Sequence, residues 1–199
     1  MSDISSGFQP ALTEFPPFEF MSTHLSALIT SYPPPFIFIH DPETARLTAS
    51  VVRSTLEGLA SEPRLEQVIY AHVNAVACFS PRILYDTALN AFAGWTPDWR
   101  DGATNWNGSG VEARRYNENF DAFVHGIQAI AAGAGESESK TQVNGVSKGK
   151  GKAKEQDAPP NRRLVLVVER AERLRENLPE LLVPLTRLNE SVCSLISQA

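Results

Sequence analysis

The sequence predicts an α/β fold with a mostly parallel sheet. Short apolar, β-branched runs alternate with amphipathic stretches of helical period. One such run, residues 164–168 (LVLVV), reads as a strand buried on both faces and delivers an acid, Glu169, to its carboxyl end. Ligands of open parallel sheets sit beyond the carboxyl ends of the strands, so position 169 is where chemistry is expected.

The elements follow in order. Residues 1–17 are polar and proline-broken and read as an extended lead-in. Residues 18–30 form a helix with Met21, Leu25 and Leu28 near one face, and 36–39 (FIFI) is a short buried strand. Residues 47–59 are helical, with Val52, Leu56 and Leu59 on one stripe, and 68–73 is the second strand. Ser80-Pro81 starts a helix, because serine caps and proline is preset for the first turn. Its core face is Ile83, Leu84, Ala88, Ala91 and Phe92, and Trp95–Pro97 closes it.

A connection at 96–116 leads to a helix with Phe120, Phe123, Val124, Ile127 and Ile130 on one face. Residues 133–161 are low in complexity and read as a disordered insertion. After the strand at 164, Asn177 and Glu180 form a capping-box variant with Pro179 in the first helical turn. Leu178, Leu181, Leu182, Leu185 and Leu188 supply that helix's core face, and Pro184 kinks it by removing one backbone donor. Residues 192–196 read as a fourth strand.

Composition bounds the function classes. With 199 residues, 42% of them hydrophobic and 21% charged, the chain is long enough for one domain with a moderate core. A net charge of −5 argues against nucleic-acid binding through a global field. The two cysteines, Cys78 and Cys193, stand in apolar contexts without a CxxC pair and read as reduced thiols. No secretory signal or membrane-length apolar run is visible, so no membrane partner is expected.

A strand, loop and helix followed later by an acid-tipped strand is the layout of a P-loop nucleotide-binding domain. A working loop needs glycines whose N–H groups wrap the phosphates, a lysine for the terminal phosphates and a hydroxyl for magnesium. After 36–39 the chain offers HDPETARL. Set on the G-x-x-x-x-G-K-[ST] pattern, His40 and Ala45 replace the glycines, Arg46 the lysine and Leu47 the hydroxyl. Pro42 deletes a donor, and Asp41 and Glu43 put negative charge where polyphosphate lies. Like charges ~4 Å apart near a surface repel by roughly 4 kcal/mol. A one-residue shift makes Thr48 the hydroxyl, but Arg46 and Leu47 then fall at the second glycine and the lysine. Glu169 reaches a metal-bound water, whereas Arg170 stands where an ATPase keeps its water-activating carboxylate. Arg46 and Glu169 are therefore the candidate cofactor-binding residues of a degenerate site, with no catalytic residue and with most ligands of ATP and magnesium missing.

Residues 68–92 (VIYAHVNAVACFSPRILYDTALNAF), 117–130 (NENFDAFVHGIQAI) and 164–190 (LVLVVERAERLRENLPELLVPLTRLNE) together resemble the subunit 5 family of the eukaryotic origin recognition complex. The lead-in FPPFEFMSTHLSALI (15–29) is similar to that family's entry helix, with Phe18 where an arginine is usual. Cys78-Phe79-Ser80-Pro81-Arg82 and Ala171-Glu172-Arg173-Leu174-Arg175 match its turn and its run after the acid-bearing strand.

The resemblance implies a P-loop NTPase (AAA+) three-layer sandwich, 18–199 being a partial AAA+ domain that stops at its fourth strand. The remaining strand, the lid and the winged-helix region are not present in the sequence. In the implied strand order, 36–39 becomes an exposed apolar edge. The implied role is in DNA replication initiation in the nucleus. Other origin recognition complex subunits are the implied partners, and DNA is bound through the assembled complex. With the phosphate loop lost, the expectation is a scaffold rather than an enzyme. An ATP-binding or slowly hydrolysing AAA+ domain and a P-loop-like interaction module unrelated to replication are the alternatives.

Other features have plainer readings. His24, His40, His72 and His125 have no ligand spacing, so no metal site is expected. KGKGKAK (148–154) is by default a solvated tract, with DNA contact or nuclear import as the sharper alternative. Trp95, Trp99 and Trp106 flank a loop as satellite packing or as an interaction surface.

Overall fold

The computed structural model describes residues 16–31, 33–62, 67–108, 115–133 and 162–190. The chain divides into two compact units, Met1–Val68 and Ile69–Ala199.

In the first unit, helix α1 (Pro16–Ser31) packs against helix α2 (Ala45–Ser61). The expected helix at 18–30 thus starts two residues early, because proline lacks only an N–H that the first turn leaves unpaired anyway. Leu25 and Ile29 of α1 are buried, as are Val51, Val52, Leu56 and Leu59 of α2. Thr55 joins them by hydrogen bonding. Its hydroxyl donates to the Val51 carbonyl at 2.8 Å, so the 2.8 Å contact with Ser22 is donated by the serine.

The expected strand at 36–39 does not form among the described residues. The segment takes no regular secondary structure, and Phe36, Ile37, Phe38 and Ile39 are all exposed. A strand is stable only with a neighbour to satisfy its N–H and C=O groups, and none of the described segments pairs with this one.

Strand β1 (Gln67–Asn74) leads into the second unit, and strand β2 (Arg162–Glu169) runs parallel to it in a two-stranded sheet. Between them lie helices α3 (Pro81–Phe92) and α4 (Phe120–Ala131), which pack on each other, α4 also reaching β2. A parallel pair needs such a crossover connection. Beyond β2 come α5 (Glu172–Asn177) and α6 (Pro179–Thr186).

The start signals of the two long helices act as physics requires. Ser80 Oγ accepts from Ile83 N at 3.4 Å, and Asn119 Oδ1 accepts from Ala122 N at 2.8 Å. The expected cap at Asn177 is not made. Leu178 holds the cap position of α6 without a side-chain hydrogen bond, because Asn177 is still inside α5. Pro184 sits within α6, which ends two residues later at Thr186.

The core lies between the sheet and these helices. Phe123 is fully buried and stacks on Tyr85, ring centroids 4.7 Å apart. Leu84, Ala88, Leu89, Phe92, Ile127, Ile130, Leu174 and Leu181 surround them. The buried face of α3 differs from the expected one: Tyr85 and Leu89 turn inward, whereas Ile83 and Ala91 are exposed. β2 is only half-buried along its whole length rather than buried on both faces, since one paired neighbour covers it. Cys78 is buried. The expected strand at 192–196, Cys193, the lead-in 1–15 and all but the first residue of the insertion at 133–161 lie outside the described residues.

Candidate functional site

Arg46 belongs to the first unit and Glu169 to the second. Arg46 is the second residue of α2, exposed, with no ion pair among the described residues. A helix start is a natural anion site, because its first N–H groups lack partners and the helix dipole favours negative charge.

Here the chain places its own carboxylate in the loop just ahead of that start. Asp41 Oδ1 accepts from Glu43 N at 3.0 Å and from Thr44 N at 2.8 Å. Its Oδ2 accepts from the Thr44 hydroxyl at 2.6 Å and from the Thr48 hydroxyl. Four donors converge on one carboxylate, two of them hydroxyls. These bonds, the two threonine hydroxyls first, hold the Asp41 carboxyl well below the usual carboxylate range.

The consequence for a nucleotide is direct. The N–H groups at Glu43 and Thr44 are spent on Asp41, Pro42 has none, and the Thr48 hydroxyl is committed to the same carboxylate. The described residues at this helix start therefore do not fit a magnesium-bound polyphosphate. Sequence spacing gave Asp41 the part of a repulsive charge. Its capping role was signalled only by an aspartate three residues ahead of Thr44.

At the end of β2, Glu169 Oε2 lies 3.8 Å from His72 Nε2 of the neighbouring strand, at the carboxyl end of the sheet. No ligand spacing in the sequence links the two, because strand pairing alone unites them. Arg170 follows in the left-handed region with φ of 59° and turns its Nε onto Glu172 Oε1 at 2.6 Å. That contact lowers the Glu172 carboxyl. Arg170 is thus engaged by its own helix start, and Glu169 is flanked by an imidazole rather than by a second acid. No group of three or more histidine, cysteine or acidic side chains suited to a metal occurs among the described residues. No described helix is long and apolar enough to cross a membrane.

The tryptophans divide. Trp106 is buried and stacks on Tyr116 at 5.4 Å, and Trp95 Nε1 donates to the Thr104 carbonyl at 2.8 Å. Trp99 is 90% exposed, which leaves it alone of the three as surface. Comparison of the chain with protein-family models, with curated proteins and with solved structures gives no match.

Proposed function

We propose that this chain is a non-catalytic component of the origin recognition complex, of the subunit 5 class, built on a degenerate P-loop AAA+ sandwich. It packs against neighbouring AAA+ subunits in the nucleus and supports DNA binding by the whole assembly. The observation that carries the non-catalytic reading is Asp41, whose carboxylate takes the Glu43 and Thr44 N–H groups of the loop and the Thr48 hydroxyl, donors that a phosphate and its magnesium would need. The parallel β1–β2 pair with an acid at its carboxyl end is consistent with the domain type. The exposed apolar residues Phe36–Ile39 are the kind of surface that a permanent partner covers. The replication role rests on the sequence resemblance.

Two measurements test the reading. Affinity purification of the tagged chain from nuclear extract is expected to recover other origin-complex subunits, and recovery of none refutes the replication role. Titration with labelled ATP and magnesium is expected to give no micromolar binding. Micromolar binding abolished by Arg46→Ala would overturn the degenerate site.

A further inference from the structure

A polar cavity of about 400 Å³ lies in the second unit, lined by Arg82, Thr104, Asn105, Asn107, Arg115 and Asn117. Its size falls within the range of small-ligand pockets. Its wall is held from behind by α3, which presents Arg82, Asp86 and Asn90 at four-residue spacing on one face. Asn90 Nδ2 donates to Asn105 Oδ1 at 3.0 Å, while Asn90 Oδ1 accepts from Trp106 N at 2.8 Å. Asn117 Nδ2 donates to Asp86 Oδ1 at 2.7 Å. The loop that carries Thr104 is fixed by Trp95.

This bonding determines what the wall has left to offer. Asn105 spends its oxygen on Asn90, which leaves its Nδ2 with donors unused among the described residues. No carboxylate lines the cavity among the described residues. Arg82 Nε pairs loosely with Asp86 at 4.0 Å and Arg115 Nη1 with Glu118 at 3.7 Å, longer than direct hydrogen bonds, and each guanidinium carries five N–H donors, more than one such pair engages. Two guanidiniums and a free amide nitrogen match an oxyanion.

We propose that this cavity binds a small-molecule phosphate monoester, with the phosphate on Arg82, Arg115 and Asn105 Nδ2. The site is independent of the α2 helix start and of the scaffold reading.

Calorimetric titration of the full chain with ribose 5-phosphate, inorganic phosphate and ribose tests it. Ribose 5-phosphate is expected to bind with Kd between about 10 μM and 1 mM, phosphate to bind more weakly, and ribose not at all. Arg82→Gln and Arg115→Gln, both at exposed positions, are each expected to weaken binding roughly tenfold, the worth of one charge-assisted bond. The side-chain NH₂ signals of Asn105 are expected to shift on titration of the unaltered chain, a readout that does not depend on any variant folding. Absence of heat with ribose 5-phosphate, equal binding of ribose, or unchanged affinity in both arginine variants overturns the proposal.

Discussion

The same substitution, glycine to alanine, is expected to have opposite effects in two helices of this chain. Gly58 lies inside α2, and a Cβ built on it meets nothing within 4 Å. Gly126 lies inside α4, and its Cβ meets Leu89 Cδ2 at 2.9 Å, Tyr116 Cβ at 3.0 Å and Tyr116 Cγ at 3.1 Å. Both positions gain the same helix propensity, about 0.8–1 kcal/mol.

At Gly58 that gain stands alone, so Gly58→Ala is expected to stabilise α2 by about 0.5–1 kcal/mol. At Gly126 the added methyl enters a packed core. Leu89 is 1% exposed and has no open side to move into. Tyr116 Cβ is fixed to its backbone, and the ring is held against Trp106. Overpacking of this kind costs typically 1–3 kcal/mol, and three contacts this close place it in the upper half of that range. Net of propensity, Gly126→Ala is expected to destabilise the second unit by about 1–2 kcal/mol.

Amide hydrogen exchange read on peptides spanning α2 and α4 reports each unit separately. Protection of α2 should rise about two- to fivefold in Gly58→Ala, and that of α4 should fall about five- to thirtyfold in Gly126→Ala. Unchanged or increased protection of α4 in Gly126→Ala would refute the packing of Tyr116 and Leu89 against this helix.

Three further outcomes are expected. Asp41 has its carboxyl depressed in the folded chain, so its contribution is present above the unfolded value of about 3.9 and lost as pH falls through the lower folded value. Exchange at the start of α2 should therefore stay slow at pH 4 and quicken only in stronger acid. Asp41→Asn should remove that pH dependence, and a variant indistinguishable from the parent would contradict the cap. Phe123→Ala, at a fully buried ring stacked on Tyr85, should cost about 3–5 kcal/mol in urea unfolding; a loss below about 1 kcal/mol would be incompatible with that packing. Burial pushes the Cys78 thiol up, which keeps it protonated and shielded, so iodoacetamide at neutral pH should spare it until denaturant is added. Rapid native alkylation of the Cys78 peptide would count against its burial.

The helices were legible in the sequence because their signals are local. Serine before proline at 80–81 and the apolar spacing from Phe123 to Ile130 state start, period and face within a dozen residues. The acid-tipped strand ending at Glu169 was legible for the same reason. Where the local signal was balanced, it misled. Around α3 the apolar positions nearly encircle the helix, and only contact with α4 turned Tyr85 and Leu89 inward rather than Ile83 and Ala91. The FIFI segment carries the composition of a buried strand, yet composition supplies no hydrogen-bond partner, and it stands exposed.

The sequence by itself determined that HDPETARL is not a working phosphate loop, because no single register of it supplies the required glycines, lysine and hydroxyl. Tertiary structure decided three arrangements: a carboxylate held just ahead of α2 by four donors, an imidazole from the neighbouring strand beside Glu169, and a cavity walled by asparagines from two separate segments. Each depends on groups remote in the chain or on the direction of single hydrogen bonds. Side-chain spacing does not encode either, because it reports which face a residue shares and not what stands opposite it.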